Sequence, residues 1–289
     1  MMNDGGSLIN IPDLGKPATV LIEKISEGVG GYFKPHQIKR VAKAEAEAEL
    51  IMAQAKIDKG NLQQRAVNRF VVEEMNKQQN MENITEKAIP LLDESAQPQD
   101  IENDWIANFF DKSRIVSDEE MQSLWSKVLA GEANSPGSYS KRTVNFLGSL
   151  DKFDAHIFTS LCGFLWGVGV INPIIIDYVD GIYKDRGITF ESLTHLDDIG
   201  LIRFEIGSYG RTGMPRKMVA FYYGSAYVLK FKMPEKNTLN VGSVKLSKIG
   251  QQLISICSSE PVEGFVDYII EKWKKEGITI SSADQKGGQ

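Results

Sequence analysis

Basic and tyrosine side chains alternate through residues 203–232, and this stretch has the residue types that could best bind a polyanion. Its six lysines and arginines face one carboxylate, Glu205. Cations of this kind can neutralise phosphates, and interleaved tyrosine rings can stack on bases. The alternative is that the charge only keeps an exposed hairpin soluble. The candidate nucleic-acid contacts are Arg203, Arg211, Arg216, Lys217, Lys230 and Lys232.

Residues that could carry catalysis or bind a metal are scattered along the chain. The sequence has three histidines and no phosphate loop, H-E-x-x-H, C-x-x-C or G-x-S-x-G motif. His156 lies beside an apolar stripe, where histidines usually neighbour the core. We therefore predict a protein that is not an enzyme and that has no cofactor, metal or catalytic residue. A carboxylate-based activity stays open.

Cysteine usage and charge indicate a cytoplasmic setting. Cys162 and Cys257 lie 95 positions apart in apolar surroundings, which favours buried reduced thiols over a disulfide or a zinc site. The first ten residues lack the basic and apolar regions of a signal peptide. A formal charge of −5 predicts no global attraction to nucleic acid or anionic membrane, so any such binding must be local.

Residues 117–147 carry the clearest helix punctuation in the chain. Ser117 and Glu120 have the spacing of a capping box, which predicts a helix that begins at residue 117 or 118. Gly131 stands where that helix should end. Ser140 predicts the N-cap of a second helix after a turn that is rich in serine. The apolar stripe of the first helix comprises Met121, Leu124, Trp125, Val128 and Leu129.

The two helices of this stretch should form a hairpin. Pro136 and Gly137 supply the backbone angles of its turn. We expect Trp125 and Phe146 to clamp the helices together. Glu132 and Arg142 flank the connection, and we expect them to form one structural salt link rather than a catalytic pair.

This stretch resembles the signature of a bacterial family of unknown function. The resemblance lies in WSKVLAGE at 125–132, PGSYS at 136–140 and the Arg-Thr pair at 142–143. It extends across most of the chain, to an N-terminal Gly-Lys-Pro segment, a Lys-Ala-Glu-Ala helix and LSKIGQQL at 246–253. Members of that family are similar, more loosely, to the abortive-infection alpha proteins that bacteria use against phage. The resemblance implies a defence setting and implies no catalytic residues. The motif residues are Trp125, Gly131, Glu132, Pro136, Gly137, Ser140 and Arg142.

The N-terminal part should contain an amphipathic helix within residues 14–33, after a disordered start at residues 1–13. Its polar face mixes lysine and glutamate, which suits packing on a partner helix better than binding to anionic lipid. Membrane disruption by this helix is nevertheless a third functional hypothesis. Its apolar residues are Ala18, Leu21, Ile22, Ile25 and Val29.

A long helix is predicted for residues 36–81. It would extend about 65–70 Å, which exceeds the diameter of a small domain. Its thin apolar seam favours a coiled-coil arm that assembles copies of the chain. The alternative is two shorter helices, divided near Gly60 and folded into a bundle. The oligomerisation residues are Ile38, Val41, Leu50, Ile57, Val67 and Val71.

The remaining pattern predicts further helices and one hairpin. An acidic linker at 93–103 leads to an aromatic helix, which should pack beneath residues 117–147. A buried helix is expected within 151–179 and another at 190–200. Strands at 201–206 and 218–232, joined by a glycine-rich turn at 207–213, would give a winged-helix shape. Helices at 246–253 and 262–275 would complete it, before a tail with nothing to bury at 281–289.

The sequence thus predicts a mainly α protein with a smaller α+β part. The predicted divisions are a helical arm at 14–92, a central helical domain at 93–180 and a winged-helix-like domain at 181–280. The first functional hypothesis is a non-enzymatic, homo-oligomeric interaction or sensor protein, with a protein partner. The second is nucleic-acid binding through the basic 203–232 hairpin.

Overall fold

The computed structural model describes residues 15–30 and 62–282 of the 289-residue chain. It divides the chain into two compact units, residues 1–149 and residues 150–289. The division therefore falls inside the predicted central domain of residues 93–180. The predictions for residues 1–13, and for Ile38, Val41, Leu50 and Ile57, lie outside the described residues.

Unit 1 is helical in its described part, which confirms the helix-rich first half. One short 3₁₀ turn, Ile89–Leu91, precedes the predicted linker of residues 93–103, and a second, Pro98–Asp100, lies within it. The helices are α1 (Lys16–Gly28), α2 (Leu62–Ala88), α3 (Asn103–Ser113), α4 (Glu119–Asn134) and α5 (Lys141–Leu147).

Helix α1 confirms the predicted amphipathic segment. Its apolar face is buried inside unit 1, where α1 packs against α3 and the Pro98–Asp100 turn. Gly28 permits this approach, because a Cβ atom at that position would stand 2.6 Å from Cγ2 of Ile106. The buried residues are Ala18, Leu21, Ile22 and Ile25.

An aromatic cluster forms the centre of unit 1. The ring of Trp125 in α4 meets that of Phe109 in α3 edge-on, with centroids 5.1 Å apart, and Trp105 stacks on the same Phe109 at 5.1 Å. The aromatic helix thus packs beneath α4 as predicted. The clamp of Trp125 on Phe146 is wrong, because Phe109 takes the place next to the indole and α5 packs against α3 instead.

The start of α4 also differs from the prediction. Asp118, not Ser117, is the N-cap, and its carboxylate accepts hydrogen bonds from the backbone N–H groups of Glu120 and Met121, both at 3.1 Å. Carboxylates and hydroxyls cap helices about equally well. Because Ser117 and Asp118 are adjacent, the sequence alone did not decide which of them is the N-cap. The helix that begins here continues to Asn134, past the predicted stop at Gly131.

Unit 2 combines short helices with strands. The helices are α6 (Lys152–Cys162), α7 (Gly181–Lys184), α8 (Phe190–Asp198), α9 (Lys248–Leu253) and α10 (Phe265–Lys275). The strands are β1 (Leu165–Val168), β2 (Val170–Pro173), β3 (Ile202–Phe204), β4 (Gly210–Met214), β5 (Lys217–Tyr222), β6 (Ser225–Lys230), β7 (Asn237–Asn240), β8 (Val244–Leu246) and β9 (Thr279–Ser282).

The main sheet of unit 2 has five antiparallel strands in the order β2-β1-β5-β6-β9. Its first two strands correct the helix that was predicted across 151–179. That helix ends at Cys162, and a tight hairpin follows in which Gly169 adopts a φ of 74°. Only glycine adopts this left-handed conformation without strain, so Gly169 makes the two-strand return feasible.

The predicted pairing of strands 201–206 and 218–232 is wrong. Strand β3 pairs with β8, while residues 217–230 fold into the hairpin β5–β6 around Tyr223 and Gly224. Residues 210–214 of the predicted turn form β4, which pairs with β7. Strands β3 and β4 each pair with a strand well downstream in the chain, a choice that local patterns do not encode. Strand β9 likewise includes the start of the predicted free tail.

The inner face of the main sheet packs on α10 through aromatic rings. Trp166 of β1 lies 5.6 Å from Trp273 and 5.3 Å from Tyr222, centroid to centroid. Phe265 of α10 contacts Phe164 at 4.9 Å. These rings fix β1 against α10. In the described parts of the chain, no helix has both the length and the apolar composition that crossing a bilayer requires.

Candidate functional site

A cavity of about 340 Å³ opens at the edge of the inner face of the main sheet in unit 2. Its walls come from the β1–β2 hairpin, from β4, from β8 and from the residue after β7. Such a volume lies at the small end of natural ligand sites. The lining residues are Trp166, Val168, Val170, Asn172, Ile174, Tyr209, Gly210, Arg211, Thr212, Val241 and Lys245.

The β1–β2 hairpin supplies the apolar wall. Trp166 lies directly opposite Asn172, and Val168 lies opposite Val170, so these four side chains share one face of the pair. The Asn172 side chain is fixed, because its Oδ1 accepts a 2.9 Å hydrogen bond from the backbone N–H of Leu246. The hairpin is thereby tied to strand β8, which brings Lys245 to the same cavity.

Two cations line this cavity and no carboxylate does. The guanidinium of Arg211 donates a hydrogen bond to the backbone carbonyl of Val168. The ammonium of Lys245 lies over the ring of Tyr209, 3.6 Å from its centroid. Neither cation forms an ion pair with a carboxylate of residues 15–30 or 62–282. The site therefore holds positive charge that the described residues leave uncompensated.

Two of the lining residues carry further polar groups. The indole N–H of Trp166 is buried, the residue being 1% exposed, and it has no acceptor among the described residues. Burial, followed by a hydrogen bond with the neighbouring carboxylate of Glu205, raises the pKa of Tyr209 to about 12. The Tyr209 hydroxyl is therefore already engaged by Glu205.

The predicted nucleic-acid contacts do not all converge. Arg203 pairs with Asp197 at 3.2 Å, and Arg211 belongs to the cavity. The other four gather at one end of the β5–β6 hairpin. Lys217 lies directly opposite Lys230 in this hairpin. One residue further from the turn, the backbone N–H of Phe231 donates a 2.8 Å hydrogen bond to the Arg216 carbonyl. Lys232 completes this end, which we call the lysine end and define as Arg216, Lys217, Lys230 and Lys232.

The turn between α4 and α5, which contains most of the predicted motif, closes on one buried carboxylate in unit 1. Glu132 is 3% exposed, and its two oxygens accept hydrogen bonds from the backbone N–H groups of Gly137 at 2.7 Å and Tyr139 at 2.8 Å. Burial raises the pKa of this carboxyl, and the N–H donors partly oppose that effect. The predicted salt link to Arg142 is wrong, because Arg142 is exposed and the turn's own backbone satisfies the carboxylate.

The other motif residues shape the same turn. Gly137 adopts a φ of 89°, which bends the chain so that its N–H reaches Glu132. Ser140 is the N-cap of α5 as predicted, and its hydroxyl accepts from the N–H of Thr143 at 3.3 Å. The indole N–H of Trp105 donates to the Tyr139 carbonyl at 2.7 Å. This geometry locks a loop and places no reactive group at the surface.

A histidine–aspartate pair escaped the sequence analysis. His195 Nε2 lies 2.6 Å from Oδ1 of Asp154, whose other oxygen accepts from the N–H of Asp151 in a capping box. The pair joins α8 to α6. Residues 41 positions apart in the chain share no local sequence signal. One hint was present: Asp151 and Asp154 both stand at the start of α6, where each could cap the helix or contact another residue.

The two cysteines are also brought together. A hydrogen bond with Cys257 and burial raise the pKa of the Cys162 thiol well above its ordinary value. Neither cysteine forms a disulfide in the described structure; Cys162 is buried, whereas Cys257 is half-buried and donates to the Leu253 carbonyl at 3.4 Å. A high thiol pKa disfavours the reactive thiolate. Among the residues that the structure describes, no group of three or more histidine, cysteine or acidic side chains could hold a metal ion.

Comparisons with known proteins place the chain in a family without describing an activity. No curated protein and no solved structure matches it significantly. The model of one family, described as protein of unknown function DUF2806, matches residues 64–270, which includes most of both units. The chain therefore belongs to the DUF2806 family.

Proposed function

We propose that this chain is a non-enzymatic, homo-oligomeric interaction or sensor protein, in which α2 assembles copies and unit 2 receives a ligand or partner. The observation that carries the proposal is an exposed apolar stripe on the first half of α2. Its members are Val67, Phe70, Val71 and Met75, with exposed fractions of 37–61%.

The stripe has the spacing of a helix-packing surface. Val67, Val71 and Met75 recur every four residues and Phe70 lies between them, so they follow one side of the helix. Single exposed apolar residues are common, but a contiguous patch of this kind is typical of an interaction site. The second half of α2, by contrast, buries Met81, Ile84 and Ala88 in unit 1.

A second copy of the same chain is the occupant that suits this stripe best. Charges of both signs flank it, in the pairs Arg69–Glu73 and Lys77–Glu74. A surface with mixed charge can face its own copy across a twofold axis without net repulsion. Val67 and Val71 also continue the heptad seam predicted for residues 38–57, which would lengthen such a contact.

Light scattering coupled to gel filtration tests the assembly. The wild-type chain should give a molar mass that is a multiple of 32.2 kDa, and Val67→Glu with Val71→Glu should give 32.2 kDa. The matched control changes the charge by the same two units on the opposite side of α2, as Arg65→Gln with Asn76→Glu, both at exposed positions, and should retain the wild-type mass. A wild-type chain that elutes with the mass of one copy would overturn the proposal.

The proposed setting is anti-phage defence of the abortive-infection type in bacteria. It is supported by the resemblance of residues 125–143 to that class of protein. A host that carries the wild-type gene should plate phage less efficiently than a host with the Val67→Glu, Val71→Glu gene. Equal plating in both hosts would show that defence does not depend on assembly through α2.

Nucleic-acid binding is the second candidate, and the lysine end favours it. Like charges directly opposite each other destabilise a strand pair, and Lys217 and Lys230 occupy such positions. A bound phosphate backbone would relieve this repulsion. Phe221, 52% exposed, lies on the same face of β5 as Lys217 and offers a ring for stacking. The winged-helix-like shape of residues 181–280 stays a prediction, and it would suit nucleic-acid binding.

Fluorescence anisotropy with labelled single-stranded DNA and RNA tests this second candidate. Binding should weaken steeply with salt, and Lys217→Glu with Lys230→Glu should reduce it at least tenfold at low salt. Lys272→Glu would disturb an ion pair, so the exposed Lys248→Glu serves as the control for charge alone. Equal binding by the Lys217/Lys230 and Lys248 variants would remove the candidate.

Membrane disruption by residues 14–33 has less support. The apolar face of α1 is already buried within unit 1, with Leu21 and Ile25 fully covered. The helix would have to leave that core before it could enter a bilayer, at a cost of several kilocalories per mole for the four buried side chains. Dye release from liposomes would test it directly.

A further inference from the structure

We propose that the cavity lined by the β1–β2 hairpin, β4 and β8 binds a small molecule in which an anionic group, a carboxylate or phosphate, is joined to a flat apolar ring system. The inference deepens the sensor half of the proposed function and rests on it for the use of the site. The binding itself is argued from the residues of the cavity alone.

The charge of the cavity requires an anion. Arg211 and Lys245 both line it, and no lining residue is acidic. Two cations that share a small, partly enclosed space repel each other more strongly than they would in water. The carboxylate of Glu205 forms a hydrogen bond with the Tyr209 hydroxyl and does not line the cavity. An anionic group would therefore be attracted by both cations at once.

The remaining donors indicate where the anion would bind. The Arg211 guanidinium uses only part of its five donors on the Val168 carbonyl. Lys245 contacts a ring and no acceptor among the described residues, so its three donors are available. Thr212, the neighbour of Arg211 on β4, also lines the cavity. A carboxylate or phosphate at this wall would accept charge-assisted hydrogen bonds from both cations.

The opposite wall favours a flat apolar body. Trp166, Val168, Val170, Ile174 and Val241 present carbon atoms to the cavity. Trp166 lines the cavity, so its indole signal should report a bound ligand, although its N–H has almost no accessible surface and offers the ligand no donor. The volume of about 340 Å³ accommodates one or two fused rings with a single anionic group.

The test follows the indole signals of the ¹⁵N-labelled full-length chain by NMR. The chain has four tryptophans, so four indole cross-peaks are expected, and Trp166→Phe assigns one of them. The probes are 2-naphthoate, 2-naphthyl phosphate, the neutral 2-naphthamide of the same shape, and inorganic phosphate as an anion without a ring.

At least one naphthyl anion should shift the Trp166 signal saturably, whereas naphthamide and inorganic phosphate should bind at least tenfold more weakly. Lys245→Met should weaken the anion about tenfold, because a charge-assisted hydrogen bond is lost. Lys245 is exposed, so this change should leave the fold intact. Lys248→Met, on α9 and outside the cavity, is the matched control and should bind as the wild type does.

Three results would overturn the inference: no shift of the Trp166 signal with either anion, equal binding of 2-naphthamide, or wild-type affinity in Lys245→Met. Arg211→Met provides a second measure, since it should also weaken the anion while the indole signal of Trp273, in the same unit, reports that the fold is kept. The oligomer test reads molar mass and this test reads one indole signal, so a failure of either is distinguishable from a failure of the other.

Discussion

The ring of Tyr139 lies directly on the backbone of Gly131: a Cβ atom built at Gly131 would stand 2.8 Å from Cε2 of Tyr139. Gly131 is therefore a packing residue inside α4 and not the stop of a helix. Tyr139 is held in place from two other directions, because Glu132 accepts its N–H and Trp105 donates to its carbonyl. The distinctive central motif thus builds one tightly packed turn.

Gly131→Ala should destabilise unit 1. The added methyl would overlap the Tyr139 ring, which is 4% exposed and has little room to move. Overpacking of this kind costs about 1–3 kcal/mol, more than the gain in helix propensity. Urea unfolding measures the change. Gly207→Ala is the control, because nothing lies within 4 Å of a Cβ there and its φ is ordinary; equal losses in both variants would contradict the packing argument.

Glu132→Gln should also lower the free energy of unfolding. One carboxylate oxygen becomes an amide NH₂, which cannot accept the hydrogen bond from Gly137 or Tyr139. A buried N–H left without its acceptor costs about 1–3 kcal/mol. Glu94→Gln, in an exposed turn, should change unfolding by less than about 0.5 kcal/mol. A Glu132→Gln chain as stable as the control would show that the turn does not depend on this carboxylate.

His195→Ala should weaken the packing of α8 on α6. The Asp154 side chain is only 10% exposed and would lose the 2.6 Å contact with Nε2. We expect a loss of about 1–3 kcal/mol, because the carboxylate keeps its capping role but lacks its second partner. Hydrogen exchange of α8 amides would localise the effect. His156→Ala, on the exposed side of α6, should leave those amides as protected as in the wild type.

Asp180→Asn should reveal an acid-sensitive contact. The Lys272 ammonium at 2.8 Å, together with the Tyr268 hydroxyl at 2.7 Å, holds the pKa of Asp180 below its ordinary value of 3.8. A depressed carboxyl pKa adds stability that is complete above the unfolded pKa and is lost as pH falls through the folded pKa.

Because both partners of this contact are about one-third exposed, solvent screening limits the loss in Asp180→Asn to roughly 0.5–1 kcal/mol at pH 7. The same loss should be found at pH 5, and it should shrink as the pH falls below 3.8 and through the lower folded pKa. Asp185→Asn, at an exposed position, is the control. A difference between wild type and Asp180→Asn that is unchanged at pH 3 would point to packing instead of charge.

Local patterns predicted the helices well where one face had to be buried. The apolar positions of α1 are the ones that the core of unit 1 covers, and Ser140 caps α5 as its sequence context indicated. The two C-terminal helices were found as well, within a few residues of their ends. In each case residues within about one helical turn of one another determine where the helix forms, so the local sequence is enough to predict it.

The strands were harder to predict, for a physical reason. Residues 165–173 read as the end of a helix because their apolar run lacks a clear period, and only the positive φ of Gly169 turns them into a hairpin. Strand β3 pairs with β8 across about 40 intervening residues. A strand's partner depends on which edge is free once the other strands have docked, and short segments do not specify that choice.

The order of residues alone predicted the helical first half, the buried face of α1 and the turn after α4, and it contains no recognisable catalytic motif. It did not predict that Trp166, Arg211 and Lys245 line one cavity, that Glu132 binds its own turn, or that His195 contacts Asp154. The reason is distance along the chain. Helix formation is settled among neighbours, whereas a site built from separate strands exists only after long-range packing has brought them together.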